Sequence, residues 1–159
     1  KNVRCFPSSS LGRLFDAVAA LMGFTRLPTF EGQAAIWLEH QAHGIPPQAP
    51  YPFDDFDPRA MLSAIVRDRR SGRAVGEIAA AFHAALARAI VEKLRELCSK
   101  NRIGTVALSG GVFQNERLLN AVLESQPQLP GIRLLVNESV PVNDGGVCLG
   151  QAAIAAFAR

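Results

Sequence analysis

Apolar residues recur every three or four positions along most of the chain, which is the spacing of one helix face. This pattern predicts a first helix over residues 11–22, preceded by serines that can cap it and followed by Gly23. Two more helices are predicted over residues 33–43 and 58–70. The segment 45–58 contains five prolines and predicts a loop, because proline lacks a backbone donor and restricts the residue before it.

The longest helical pattern covers residues 75–99. Its expected buried stripe consists of Ile78, Phe82, Ala85, Leu86, Ala89, Ile90, Leu94 and Leu97. The apolar face of the first helix consists of Leu11, Leu14, Phe15, Val18, Leu21 and Met22. Amphipathic helices turn such faces toward the interior, so these residues are the predicted helical core.

The periodicity changes after residue 104. The short apolar run 105–108 ends in Ser109-Gly110-Gly111, which is typical of a buried strand that enters a tight turn. The rest of the chain is predicted as a helix over 114–124, a strand over 132–136, a loop over 142–146 and a helix over 147–157. Strand, helix, strand and helix at this spacing predict an α/β unit with two parallel strands.

A chain of 159 residues, 48% of them hydrophobic, is sufficient for one domain with a core. The net charge of +3 is too small to indicate nucleic acid as a partner. Arginines cluster over 67–73, but Asp68 interrupts them and aromatic residues are lacking, so a solvated helix end is predicted. No apolar run approaches the roughly 20 residues of a membrane span. The chain opens on Lys1 and not on Met, which suggests part of a longer protein.

Three cysteines, Cys5, Cys98 and Cys148, are far apart in the sequence. Their odd number and the lack of a Cys-x-x-Cys pair argue against a disulfide framework and against structural zinc. Reduced thiols are therefore expected, and with them a cytoplasmic location.

Two loops follow the predicted strands, over residues 109–115 and 143–146. In open α/β sheets ligands bind where strands end and helices begin. The two glycines of the first loop would allow close backbone approach to a ligand, and Asp144 in the second could bind a metal or a phosphate-linked ion. From the residues alone an ordinary tight turn is the favoured interpretation of each loop.

Four blocks of the sequence resemble HypF-type carbamoyltransferases, which are hydrogenase maturation enzymes. They are Ser9–Leu21, Phe30–Ala35, Leu108–Asn115, and Pro141–Gly146 followed by Leu149–Gln151. The blocks occur in order over nearly the whole chain. The resemblance implies that residues 1–159 form the carboxy-terminal part of a TsaD-like domain. That domain has the two-lobed actin/sugar-kinase/Hsp70 architecture, and its first half is absent from this sequence.

The resemblance also implies an activity. Family members move the carbamoyl group of carbamoyl adenylate, made from carbamoyl phosphate and ATP in a neighbouring domain, to the C-terminal cysteine thiol of HypE. This transfer leads to the cyanide ligands of [NiFe]-hydrogenase. The chain alone is expected to be inactive. One alternative is a TsaD-like tRNA threonylcarbamoyl transferase or an O-carbamoyltransferase; Gly12-Arg13 and Glu31-Gly32-Gln33 favour the HypF type over the tRNA-modifying enzyme. The other alternative is a non-catalytic interaction or regulatory piece.

The family's nucleotide contacts fall on five residues here. Asp16 matches a carboxylate on the nucleotide, for which a ribose hydroxyl is a suitable donor. Gly32 matches a glycine against which ribose or adenine packs. Gly110 and Gly111 match the adenosine-binding turn, and Asn115 matches an asparagine that contacts the nucleotide, although an asparagine there is otherwise a helix cap.

Asp144 matches the carboxylate of a His, His, Asp site for a divalent metal, iron or zinc. Its two histidines belong to the first half of the domain. His40 and His43 align with no family motif, so an incidental helix end is favoured over an opportunistic metal pair. Arg13 is a candidate for the carbamoyl or phosphate end, and no catalytic residue is assigned.

Overall fold

The computed structural model describes residues 8–158 and contains six helices and two strands in that range. The helices are α1 (Leu11–Met22), α2 (Gln33–Gln41), α3 (Pro58–Arg70), α4 (Val75–Asn101), α5 (Glu116–Glu124) and α6 (Val147–Phe157). The strands are β1 (Thr105–Leu108) and β2 (Arg133–Val136), and they pair in parallel from Thr105 opposite Arg133 to Leu108 opposite Val136. The predicted helix-rich α/β class and the parallel unit are confirmed.

Helix α4 is the centre of the core. Between Ile78 and Val91 it is buried on most of its circumference, and alanines make up much of that surface. Small side chains let neighbouring helices come close, and α1, α2, α3 and α5 all contact α4 or one another around it. The core therefore positions α1, which carries Arg13 and Asp16, and α5, whose N-cap is Asn115.

Two expected core positions are wrong. Leu21 is 42% exposed and Leu97 is 44% exposed, while Ala19 and Cys98 are buried instead. Near the C-terminal end of α4 the Arg95 guanidinium donates to the carbonyl of Gln128, which follows α5. The sequence spacing placed Leu97 in the stripe, whereas the next residue, Cys98, is the buried one.

At two helix boundaries that differ from the prediction, a side chain forms hydrogen bonds with backbone groups. Helix α2 ends at Gln41, before the expected residue 43. The guanidinium of Arg117 donates hydrogen bonds to the carbonyls of Ala42 and Ile45 just beyond this end. Helix α5 begins at Glu116, after the expected residue 114, because Asn115 is its N-cap. Unsatisfied groups at helix ends need such partners.

The proline-rich loop is held by a polar cluster at the turn between α3 and α4. The buried Tyr51 hydroxyl donates to Asp68 (2.7 Å), and Arg73 donates to Asp68 (2.6 Å) and to Gln48 (2.9 Å). Desolvation raises the pKa of Tyr51, and the hydrogen bond from Tyr51 lowers that of Asp68. Arg67, Arg69 and Arg70 are exposed as predicted. Arg73, in contrast, holds the proline-rich loop in place through these hydrogen bonds.

Helix α6 lies apart from this core. None of its residues is buried, although it is mostly apolar, and Ile154 and Phe157 are 72% and 84% exposed. Leu135 of the sheet is also exposed. Among the described residues no helix combines the length and the apolar character needed to cross a membrane.

Candidate functional site

An open cavity of about 590 Å³ lies beside α1 and the start of α2. It is lined by Arg13, Asp16, Arg26, Glu31 and Gly32, together with apolar residues that include Phe24 and Phe30. Three of the predicted site residues, Arg13, Asp16 and Gly32, are therefore brought together from two separate sequence blocks. Arg26 and Glu31 were not predicted as site residues, because Arg26 lies outside the four blocks and no contact was assigned to Glu31 within its block.

Asp16 lies at the rim of this cavity because the preceding residue, Phe15, is fixed in the core. Phe15 is buried, which leaves the next side chain at the edge of the α1 apolar face with 32% of its surface exposed. Arg13, one helical turn earlier, places its guanidinium 3.0 Å from the Asp16 carboxylate. Such an exposed pair contributes little to stability. Its carboxylate remains able to accept a hydrogen bond from a ligand hydroxyl.

Gly32 forms a flat wall of the cavity. Its φ of 80° is a left-handed conformation that favours glycine, and no heavy atom lies within 4 Å of where a Cβ would be. The Thr29 N–H donates to the Gln33 side-chain oxygen (2.8 Å), which holds the preceding loop against the first turn of α2. The backbone is thus open to close approach by a ligand.

The two loops after the strands are joined to each other. The Gly110 N–H donates to the Val142 carbonyl at 2.9 Å, so both loops lie at one edge of the sheet, as predicted. Gly110 has φ 104° and ψ 154°, a conformation essentially restricted to glycine. In the second loop the Asn143 side chain accepts from the Gly145 N–H (3.0 Å), and Asp144 is exposed.

Asn115 is buried, and its amide is engaged at both ends. Its oxygen accepts from the Leu118 N–H (2.8 Å), which caps α5, and its nitrogen donates to Nε2 of His83 (3.0 Å). An asparagine amide offers four hydrogen-bonding positions, so one N–H and one lone pair remain. The structure therefore shows the capping role, and the nucleotide contact stays a prediction.

His83 is a site-adjacent residue that the sequence analysis missed. It is 1% exposed, and its Nδ1 lies 2.7 Å from the Ala79 carbonyl. Burial lowers its pKa to about 4, so the ring is neutral at pH 7. The available signal was a lone imidazole within the alanine-rich stretch 78–91, but the predicted buried stripe included its neighbour Phe82 and not His83.

We expect the His83 ring to be neutral at pH 7 and to titrate near pH 4 in the folded chain. The folded pKa lies below the ordinary value of 6.5, so the unfolded state takes up this proton first as pH falls. The stability that the neutral ring contributes is complete above about pH 6.5 and is lost toward pH 4. Between pH 7.5 and pH 5 this group should cost about 2 kcal/mol of unfolding free energy.

Imidazole nitrogen NMR of the folded chain gives this pKa directly, and urea titrations across the same pH range give the loss of stability. His83→Leu is the control, since it removes the ionisable ring and should flatten the pH dependence above pH 5. A ring that titrates near pH 6.5 in the folded chain contradicts the expectation.

The described residues supply one candidate metal ligand and no complete site. No group of three His, Cys, Asp or Glu side chains in residues 8–158 is placed to bind an ion together. Asp144 is free to act as a single ligand. The rings of His40 and His43 stack with centroids 6.4 Å apart, without a third ligand in the described part of the chain. Cys98 is buried, Cys148 is exposed, both thiols are free, and Cys5 lies outside the described residues.

The predicted residues form two groups and not one cavity. Arg13, Asp16 and Gly32 line the open cavity, whereas Gly110, Gly111 and Asn115 do not. Helix α1 connects the groups, because it contacts the short turn Gly111–Gln114. A smaller cavity of about 260 Å³ between α4 and α5 contains none of the predicted residues.

A family model matches most of the sequence. The model for the second subdomain of the Kae1-like domain of carbamoyltransferases matches residues 1–151. The carbamoyltransferase HypF of Rhodobacter capsulatus is 38% identical over 98% of this chain and 21% of its own length. That of Synechocystis sp. is 36% identical over 91% of this chain and 19% of its own length. The chain thus spans about a fifth of these relatives.

Solved structures agree with the sequence matches. The crystal structure of full-length HypF in the phosphate- and nucleotide-bound form superposes with a TM-score of 0.81 at 39% identity, over 92% of this chain and 20% of that one. The structure of T. kodakarensis HypF gives a TM-score of 0.80 at 28% identity with the same coverage.

Proposed function

The chain belongs to the HypF carbamoyltransferase family, and on that premise we propose that it forms the adenosine-binding part of a carbamoyl-transferring domain. In the full-length protein this domain moves the carbamoyl group of carbamoyl adenylate to the C-terminal cysteine of HypE during [NiFe]-hydrogenase maturation. The observation that carries the proposal is the cavity in which Arg13, Asp16 and Gly32 meet, although they come from separate motifs.

Each group has a separate part in binding the adenylate. Asp16 accepts hydrogen bonds from the ribose, and Gly32 lets the ribose or adenine lie against bare backbone. The Gly110-Gly111 turn offers a second such surface after β1. Arg13 is placed, beside Asp16, to neutralise the phosphate or to hold the carbamoyl oxygen.

The transfer itself breaks one bond and forms another. The thiolate sulfur of the acceptor attacks the carbamoyl carbon, the bond from that carbon to the phosphate oxygen breaks, and AMP leaves with the electron pair. Asp144 would be one ligand of a divalent iron or zinc ion. When bound, that ion would polarise a phosphate or carbamoyl oxygen. Among residues 8–158 we assign no catalytic residue.

The uncovered surfaces indicate a further partner, which is the rest of the same domain. Parallel sheets are normally covered on both faces, and two strands are too few for a stable sheet. Here the sheet has two strands, Leu135 is exposed, and α6 turns Ile154 and Phe157 to solvent. These surfaces are suited to pack against the preceding subdomain of a protein about five times longer.

We expect no carbamoyl transfer by the chain alone. It supplies one metal ligand and one side of a cleft, so the reacting groups are not brought together. Mass spectrometry of HypE, or of its C-terminal peptide, mixed with preformed carbamoyl adenylate measures the thiocarbamate product, with heat-denatured chain as the background. The full-length protein should give product under the same conditions. Product from the chain alone above background, or none from the full-length protein, contradicts the proposal.

A further inference from the structure

A buried chain of hydrogen bonds connects α4 with the start of α5. It runs from the Ala79 carbonyl through His83 and Asn115 to the Leu118 N–H. His83 and Asn115 are the buried polar residues of the described core, with 1% and 8% of their surfaces exposed. The function proposed above gives Asn115 a role but leaves the imidazole without one.

Each bond in this chain determines the direction of the next. A carbonyl oxygen only accepts, so Nδ1 of His83 carries the proton and Nε2 is an acceptor. The Asn115 amide must then turn its NH₂ group to Nε2 and its oxygen to the Leu118 N–H. A flipped amide would lose both bonds, because oxygen would face an acceptor and NH₂ would face a donor. Two bonds therefore fix the orientation of Asn115, one from the Leu118 N–H to its oxygen and one from its NH₂ group to His83.

His83 also contacts α1. Its ring packs edge-on against Phe15, with centroids 5.3 Å apart, and against Phe82 at 5.7 Å. Phe15 directly precedes Asp16 at the rim of the open cavity. The imidazole thus lies between the two groups of predicted nucleotide contacts, with α1 on one side and Asn115 at the end of the glycine turn on the other.

We propose that His83 is a positioning residue for the nucleotide: it holds the Asn115 amide, and with it the turn from Gly110 to Asn115, in the binding orientation. It contacts no ligand itself. The inference rests on the proposed function, since it requires that this turn receives the adenosine. An alternative role is mere space filling, in which any side chain of similar size would serve.

Two substitutions separate these roles. His83→Gln can place an oxygen acceptor near the position of Nε2, whereas His83→Leu fills the space without an acceptor. Positioning predicts that the Gln variant keeps the nucleotide dissociation constant within about threefold of wild type and that the Leu variant weakens it about tenfold or more, because a buried amide loses its partner. Space filling predicts equal affinities of the two variants.

The measurement is calorimetry of the full-length protein at pH 7 with a non-hydrolysable ATP analogue, and circular dichroism verifies folding. A Gly110→Val variant gives the background from any other nucleotide site. His83→Met, which is flexible and lacks a comparable acceptor, replaces the Leu variant if that variant does not fold. If the wild-type protein binds the ATP analogue more strongly than the background but the Gln and Leu (or Met) variants have equal affinities, only the positioning role of His83 is overturned. Wild-type binding no stronger than background overturns the proposed function as well.

Discussion

Replacement of Gly110 by valine in the full-length protein is expected to abolish adenosine-nucleotide binding at this site, with a loss of affinity of about 100-fold or more. Gly110 has φ 104°, and apart from its chain neighbours no described residue has an atom within 4 Å of an added Cβ. The side chain would therefore project into the open space beside the turn, where we place the nucleotide. Backbone strain adds a stability cost of about 1–3 kcal/mol.

Gly72→Val is the matched control for that strain. Gly72 lies in the turn between α3 and α4, has φ 87°, and also has no atom within 4 Å of an added Cβ. Both variants should lower the melting temperature, but the Gly72 variant should keep the wild-type affinity in its folded fraction. Calorimetry with circular dichroism separates the two effects. Full nucleotide affinity in folded Gly110→Val protein would remove the turn from the site.

Replacement of Asp144 by alanine is expected to reduce the metal bound to the full-length protein to about a tenth or less, the loss that follows when a ligand is removed from a small site. Asp144 is exposed in the short turn before α6, so its loss should change stability by only about 0.5 kcal/mol. Elemental analysis of purified protein gives the metal content, and urea unfolding gives the stability.

Glu138→Ala is the control for this experiment. Glu138 is an exposed carboxylate in the preceding loop, and it lies outside the four blocks that resemble the family. Its removal changes the local charge by the same amount and should leave the metal in place. Unchanged metal in the Asp144 variant, or equal losses in both variants, would exclude Asp144 as a ligand.

Much of the fold could be predicted because local signals and tertiary packing agree. Helices α1, α3 and α6 have their predicted bounds, and the strand pair has its predicted direction. The start of α5 shifted because of its own N-cap, Asn115, whereas the end of α2 lies where a distant residue binds the backbone. Arg117 is 75 residues from the Ala42 carbonyl that it binds, and spacing within a helix carries no information about such a contact.

The site was harder to predict than the fold. The motifs identified Arg13, Asp16 and Gly32, and the structure places them around one cavity. The motifs could not indicate that the glycine turn, with Gly110, Gly111 and Asn115, lies outside that cavity and is connected to it by α1. They also missed His83, because its importance depends on a neighbour 32 residues away and on burial that a single helix pattern does not reveal.

Photolabelling with an azido-adenosine nucleotide tests the central claim most directly, since it reports where the nucleotide binds in the full-length protein. Peptide mapping by mass spectrometry identifies the labelled segments, and excess unlabelled ATP shows which labelling is specific. We expect specific labels in two segments, 24–34 beside the open cavity and 109–115 in the glycine turn, and none on either segment in Gly110→Val. Two results would contradict the claim. One is specific labelling confined to the smaller cavity between α4 and α5, around Arg88 and Arg95, and the other is no specific labelling within this chain.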